Sequence, residues 1–192
     1  MLEPDEARRL IGKLKPGDII LVSEKGLQHA INRFLQRSRW HHVMLYIGKG
    51  RTMEVTPRNG AHICDLTHDL TEKLYFAFKA LRKKGLSTAQ RQNIAMVAQK
   101  TFSGKKFSWG QYLKVVIGRA LHSNKQGSHS LVCRPGHKCN TNSVACSNMV
   151  AMAYYEAGFP ISENYMPEYV VPRDYEVARG FFVVIDKKLT PS

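Results

Sequence analysis

The sequence is poor in long apolar runs, in cysteine and in acidic residues. No stretch approaches the roughly 18 consecutive apolar residues of a membrane-spanning helix. The start, Met1-Leu-Glu-Pro-Asp-Glu, lacks the basic residues and apolar run of a signal peptide. Four cysteines in 192 residues are too few for a disulfide scaffold. These absences predict a cytoplasmic protein that keeps its cysteines reduced.

The charge is strongly one-sided, with 29 Lys and Arg against 15 Asp and Glu and a formal net charge of +14. Such a charge attracts anions, including lipid headgroups, nucleic acid and acidic substrates. The basic residues are scattered and no RNA-binding signature accompanies them. An anionic membrane surface is therefore a candidate partner, nucleic acid is a less favoured one, and a solvated basic surface is the simplest interpretation.

The hydrophobic content of 43% and the length of 192 residues suit a single domain spanning 1–192. Period-2 and period-3.6 patterns alternate in mixed order, without internal repeats. Strands are predicted at 19–22, 42–47, 51–55, 62–66, 74–81 and 180–186, and helices at 25–37, 87–102, 107–121 and 144–157. The polar segment 123–142 reads as a long loop or insertion. This pattern predicts an α+β fold with an antiparallel sheet.

Cys146 stands near the start of the helical pattern Val144-Ala-Cys-Ser-Asn-Met-Val. A thiol attacks carbonyl groups as thiolate, and the pKa of cysteine falls at a helix N-terminus or beside histidine. The amides of a helix start can also donate to the oxyanion that forms during attack. Cys146 is therefore the predicted nucleophile.

The predicted base is His42, and Glu54 is predicted to orient it. A catalytic histidine needs a polar acceptor at its second nitrogen, which fixes the tautomer. The two residues lie on neighbouring strands of a predicted hairpin. An odd-length connection around 48–51 places both on one sheet face, whereas an even one places His41 there instead. The register is left open by the residues themselves.

Five segments carry a resemblance to a known family through their order along the chain. They are Lys15-Pro-Gly-Asp-Ile-Ile-Leu-Val, Trp40-His-His-Val-Met-Leu-Tyr-Ile-Gly, Met53-Glu-Val-Thr, Cys146-Ser-Asn-Met-Val and Val171-Pro-Arg-Asp-Tyr. In this order they resemble the permuted papain-like branch of the NlpC-type cysteine peptidases, which includes the YiiX-like hydrolases and the lecithin:retinol acyltransferase-like proteins. Histidine before cysteine is the permuted order.

The resemblance implies a permuted papain-like fold and a catalytic triad of Cys146, His42 and Glu54, with His42 preferred over His41. It also implies a cysteine hydrolase, either an amidase or peptidase or a lipid acyl hydrolase or acyltransferase, that needs no cofactor. The expected substrates are small peptides or lipid-like amides and esters. The chain departs from the family pattern at Asn148, where many members have Glu, and at the 123–142 segment.

The segment Cys133-Arg-Pro-Gly-His-Lys-Cys139 allows three interpretations: a reduced solvated loop, a disulfide, or a zinc site. Zinc favours Cys and His in tetrahedral sets, so the zinc candidates are Cys133, His137 and Cys139, with His129 or His122 as alternative histidine ligands. The remaining cysteine, Cys64, reads as an inward-facing strand residue.

Two other functions compete with the hydrolase. The first is a catalytically silent module that uses its basic surface to bind anionic lipid or nucleic acid. The second is a zinc-dependent protein organised by the 133–139 loop. The combination of Cys146, His42 and Glu54 favours the hydrolase over both.

Overall fold

The computed structural model describes residues 2–24, 38–72, 75–113, 141–161 and 166–189. Its helices are α1 (Pro4–Ile11), α2 (Leu66–Glu72), α3 (Thr88–Phe102), α4 (Cys146–Glu156) and α5 (Pro172–Val177), with a short 3₁₀ helix at Pro167–Tyr169. Its strands are β1 (Ile19–Glu24), β2 (His42–Gly48), β3 (Arg51–Thr56), β4 (Gly60–Asp65), β5 (Tyr75–Lys83), β6 (Lys106–Phe107), β7 (Ser143–Val144) and β8 (Phe181–Lys188).

Six strands form one antiparallel sheet in the order β4-β3-β2-β1-β5-β8. Alternate residues of the central strands enter two different cores. Val43 and Leu45 pack with α3 and α4 on one face, whereas Met44 and Tyr46 pack with α1 and α2 on the other. The predicted α+β architecture, an antiparallel sheet packed against helices, is confirmed. Burial on both faces explains why β2 reads as a nearly continuous apolar run.

The β2–β3 hairpin owes its register to a bulge. The turn consists of Lys49 and Gly50, a two-residue connection that by itself would place Glu54 on the sheet face of His41. A register shift between Tyr46 and Gly48 inserts one extra residue in β2, so that Leu45 lies opposite Met53. Glu54 then shares a face with Met44 and His42.

A buried ion pair fixes the start of β1. The carboxylate of Asp18 is fully buried and accepts two hydrogen bonds from the Arg82 guanidinium, at 2.8 and 2.7 Å. It also accepts one from the amide of Lys15 at 2.8 Å. Asp18 thus joins the turn at Lys15 to Arg82 on β5. A buried carboxylate requires such a set of donors.

Several predicted elements are present with adjusted boundaries. Helix α3 lies within the predicted range 87–102 and begins with a capping box, in which Ser87 and Gln90 exchange hydrogen bonds. Helix α4, predicted from residue 144, begins at Cys146, because Ser143–Val144 forms a strand that pairs in parallel with β6.

Other parts differ from the sequence prediction or fall outside it. Helices α1, α2 and α5 were not predicted; each is short and lacks a long apolar period. Residues 109–113 are helical, in line with part of the predicted 107–121 helix. The predicted helix at 25–37 and most of the 123–142 segment lie outside the described residues. Within the described part of the chain, no helix is both long and apolar enough to cross a membrane.

Candidate active site

His42 and Glu54 form the centre of the site. The imidazole Nε2 of His42 lies 2.8 Å from Oε2 of Glu54. The Glu54 side chain is 2% exposed and that of His42 is 14% exposed. This carboxylate therefore holds the ring in place through Nε2 and leaves Nδ1 for a second partner. The pair arises from the bulged register, which brings both residues to one face of β2 and β3.

Cys146 is the first residue of α4, and its thiol is hydrogen-bonded to His42. The backbone amides of Val43 and Ser147 also donate to the sulfur. The residue before the helix is Ala145, whose side chain has no oxygen with which to cap these amides. The helix start therefore offers its unpaired donors to the sulfur atom.

The electrostatics of the pair favour a thiolate beside an imidazolium. Burial by itself raises the pKa of Cys146, but the charge and hydrogen bond of His42 and the amides of Val43 and Ser147 lower it overall. Burial by itself lowers the pKa of His42, but Cys146 and then Glu54 outweigh it and raise that pKa to about 10. Each group thus stabilises the charged form of the other.

His41 has a different partner from His42. Its Nδ1 accepts a hydrogen bond from the amide of Glu24 at 3.1 Å, and its Nε2 lies 3.7 Å from the Glu24 carboxylate. The structure thus separates the two adjacent histidines: His41 is tied to the end of β1, and His42 is the one beside Glu54 and Cys146.

The start of α4 is anchored by two residues that sequence reasoning did not assign to the site. The Asn148 amide donates to the carbonyl oxygens of Glu168 and Val170, at 2.5 and 3.1 Å. The hydroxyl of Tyr175, on α5, donates to the carbonyl of Ser147. The carboxylate of a Glu could not donate to these carbonyls, which gives the Asn at position 148 a physical reason.

The second oxygen of Glu54 faces a separate group of side chains on β4. The Cys64 thiol donates to Oε1 at 3.0 Å, and Nε2 of His62 lies 3.3 Å from the same atom. The ligand atoms of Glu54, His62 and Cys64 all lie within 4.8 Å of one another. A sulfur, an imidazole nitrogen and a carboxylate oxygen are the donors that Zn²⁺ takes in proteins, so these residues fit a metal ion chemically.

The register of β4 brings the group together, since Glu54 lies opposite His62 and Thr52 lies opposite Cys64. The alternation His62-Ile63-Cys64 was the available sequence signal, because it places both side chains on one strand face. The other predicted metal candidates, Cys133, His137 and Cys139, lie outside the described residues.

Comparison with known proteins supports the fold of this chain through a similar solved structure. No model of a known protein family matches the sequence, and no curated protein matches it. Among solved structures, the chain is similar to that titled metalloprotein yiiX from Escherichia coli O157:H7, with a TM-score of 0.61 and 15% identity over 92% of this chain and 99% of that one. The likeness shows that the two chains share an α+β fold.

Proposed function

We propose that the protein is a cysteine hydrolase or acyltransferase of the permuted papain-like kind, with Cys146 as nucleophile. The observation that carries the proposal is the position of His42, which is hydrogen-bonded to the Cys146 thiol and lies 2.8 Å from the Glu54 carboxylate. The order of these residues along the chain and the likeness in fold to yiiX support it.

In the proposed reaction the Cys146 thiolate adds to the carbonyl carbon of an amide or ester. His42 then protonates the leaving amine or alcohol as the tetrahedral adduct collapses to a thioester. In the second half, His42 removes a proton from water or another acceptor, which attacks the thioester and releases the acyl group. The proton taken from the acceptor stays on His42 or moves to the Cys146 sulfur, and the starting Cys146–His42 pair is restored.

Glu54 orients His42 throughout and stabilises its positive charge. The amides of Val43 and Ser147 are already directed at the sulfur, and amides of the α4 start are the donors proposed for the oxyanion. Asn148 and Tyr175 are positioning residues, because their hydrogen bonds join the first turn of α4, which carries Cys146, to the 167–170 segment and to α5.

The similar structure is titled a metalloprotein, and the proposed reaction needs no step at a metal. Glu54, His62 and Cys64 would hold an ion if one is bound in this chain. Such an ion would supply charge and rigidity at the Oε1 side of Glu54, while Oε2 continues to contact His42.

The substrate proposed is a small peptide amide or a lipid-like amide or ester. The net charge of +14 favours an anionic molecule or one presented at an anionic membrane surface. The same charge would serve a silent binding module, so that an experiment on Cys146 itself must separate the two functions.

The test is covalent labelling followed by acyl transfer. Iodoacetamide at neutral pH is expected to modify Cys146 ahead of the other cysteines, as mapped by peptide mass spectrometry. A p-nitrophenyl ester is expected to leave an acyl mass on Cys146 that disappears with time as the thioester turns over. The variant His42→Ala is expected to slow both reactions.

His68→Ala is the matched control, since its side chain is 72% exposed on α2. It should label and acylate at the wild-type rate. Labelling of Cys146 that is as fast in His42→Ala as in this control would refute the thiolate–imidazolium pair. A folded wild-type protein that never carries an acyl mass would instead favour the binding module.

A further inference from the structure

We propose that Glu54, His62 and Cys64 form a binding site for a thiophilic divalent metal ion, with Zn²⁺ as the expected occupant. The site lies on the opposite side of the Glu54 carboxylate from His42. It does not depend on whether Cys146 is catalytic, and so it goes beyond the proposed hydrolase.

The separations between the donor atoms fit a tetrahedral ion with modest adjustment. Zinc bound at about 2.0–2.3 Å to oxygen, nitrogen and sulfur places those atoms about 3.4–3.6 Å apart. Here His62 Nε2 lies 3.3 Å from Glu54 Oε1, and Cys64 Sγ lies 3.0 Å from it. All three donors fall within 4.8 Å. Displacements of the donor atoms by about one ångström, through small side-chain rotations, would complete the tetrahedral geometry.

The tautomer of His62 provides an independent indication. Its Nδ1 lies 2.9 Å from the carbonyl oxygen of Gly60, and a carbonyl oxygen can only accept, so Nδ1 carries the hydrogen. Nε2 is therefore the ring nitrogen that faces Oε1 of Glu54, the position in which it can bind a cation through its lone pair. Donation of the other ring N–H to a backbone carbonyl is also the usual arrangement of a metal-binding histidine.

The site can be reached from solvent, and an unpartnered hydroxyl lies on a neighbouring strand position. Strand β4 is at the edge of the sheet, and the His62 side chain is 25% exposed, so a hydrated ion can reach the donors. Thr52 lies opposite Cys64 in register, and its buried hydroxyl has no hydrogen-bond partner among the described residues. A water molecule on the ion would supply one, alongside three protein ligands.

On binding, Cys64 releases its thiol proton to solvent and Sγ bonds to the ion; no oxidation or reduction occurs. The ion replaces the hydrogen that Cys64 now donates to Oε1. It links β3 to β4 through their side chains and holds the Glu54 carboxylate, whose Oε2 stays at His42.

The experiment is a Co²⁺ titration of the reduced, chelator-treated full chain, because cobalt bound to a thiolate absorbs through sulfur-to-metal charge transfer. One equivalent is expected to bind with this absorption, and Zn²⁺ is expected to displace it. Cys64→Ser should abolish the charge-transfer band. His62→Ala, which keeps the thiol, should weaken cobalt binding at least tenfold. Unchanged thermal melting of the metal-free variants establishes that they are folded.

Two controls locate the ion. Cys146→Ser should keep the full charge-transfer band, which separates this site from the thiol proposed for catalysis. The double variant Cys133→Ser, Cys139→Ser should also keep it. A band that survives in Cys64→Ser, or one lost in the double variant, would overturn the proposal by placing the ion elsewhere. Absence of any thiolate band in the wild-type protein would overturn it as well.

Discussion

Cys146 and Cys64 occupy two sides of one carboxylate, yet their surroundings favour opposite chemical states. On the Cys146 side, three polar partners of the sulfur favour negative charge and outweigh burial: the imidazole of His42, which Cys146 and Glu54 keep protonated, and the amides of Val43 and Ser147. On the Cys64 side, the sulfur donates its hydrogen to Glu54 Oε1, which requires a protonated thiol.

The comparison indicates that the charge state of a cysteine depends on the sign of the charge on its neighbouring side chain. Glu54 acts on Cys146 through an intervening histidine: the carboxylate helps to stabilise the imidazolium, whose positive charge lies beside the sulfur. It acts on Cys64 directly. One carboxylate can therefore favour a thiolate on one side and a protonated thiol on the other, which is the basis of the two roles proposed for Cys146 and Cys64.

The largest expected effect comes from removing the thiol on the Cys146 side. Cys146→Ser should abolish turnover of an ester substrate, because a serine hydroxyl at this site is not ionised by the imidazole. The acyl mass on the protein should also vanish. Acylation that persists in this variant and maps to Cys64 would reverse the assignment of the two cysteines.

Removing the histidine between Glu54 and Cys146 should remove the cationic partner that distinguishes Cys146 from Cys64. His42→Ala is expected to lower turnover by about a hundredfold to ten-thousandfold, the usual contribution of a general acid–base. The rate of Cys146 alkylation against pH should then rise only near the ordinary cysteine pKa. In the wild-type protein it should rise at lower pH, because the pKa of Cys146 is lowered.

The wild-type turnover should have a second limb at high pH. The pKa of His42 is raised to about 10, so the ring keeps its proton below that pH and loses it above. Turnover is expected to fall as pH rises through about 10, while alkylation of the thiolate continues. A turnover profile that declines near the ordinary histidine pKa of about 6.5 would contradict the pairing.

Neutralising the shared carboxylate should affect both sides less severely. Glu54→Gln is expected to lower turnover by about tenfold to a hundredfold, since the thiolate keeps its helix-start amides and His42 while the ring loses its orienting charge. The high-pH limb should move to lower pH. Glu72→Gln, an exposed change at the end of α2, is the matched control and should preserve both rate and profile.

The smallest effect is expected from loosening the anchor of α4. Asn148→Ala leaves the buried carbonyls of Glu168 and Val170 without their donor, which costs about 1–3 kcal/mol in the free energy of unfolding. Urea denaturation measures that loss. Turnover should fall only a few-fold. Retained stability in Asn148→Asp, which cannot provide the same amide donor, would show that the anchor lies elsewhere.

Much of this arrangement could be predicted from local pattern. The capping box at Ser87 and the short apolar run of β2 each follow from interactions within a few residues, so their elements were found. The short helices α1, α2 and α5 were not, because their formation depends on the cores that they cover rather than on their own periodicity.

The sequence by itself determined which residues could do the chemistry: a cysteine at the start of an apolar helix, and a histidine and a glutamate on two strands of a hairpin. The residue pattern left open whether His41 or His42 meets Glu54, and only the resemblance favoured His42. Only the tertiary structure decided that, because the bulge between Tyr46 and Gly48 shifts the register by one residue and so reverses the face. It also decided that Glu54 lies beside Cys64 and His62, because the register between β3 and β4 fixes which side chains are neighbours on one face of the sheet.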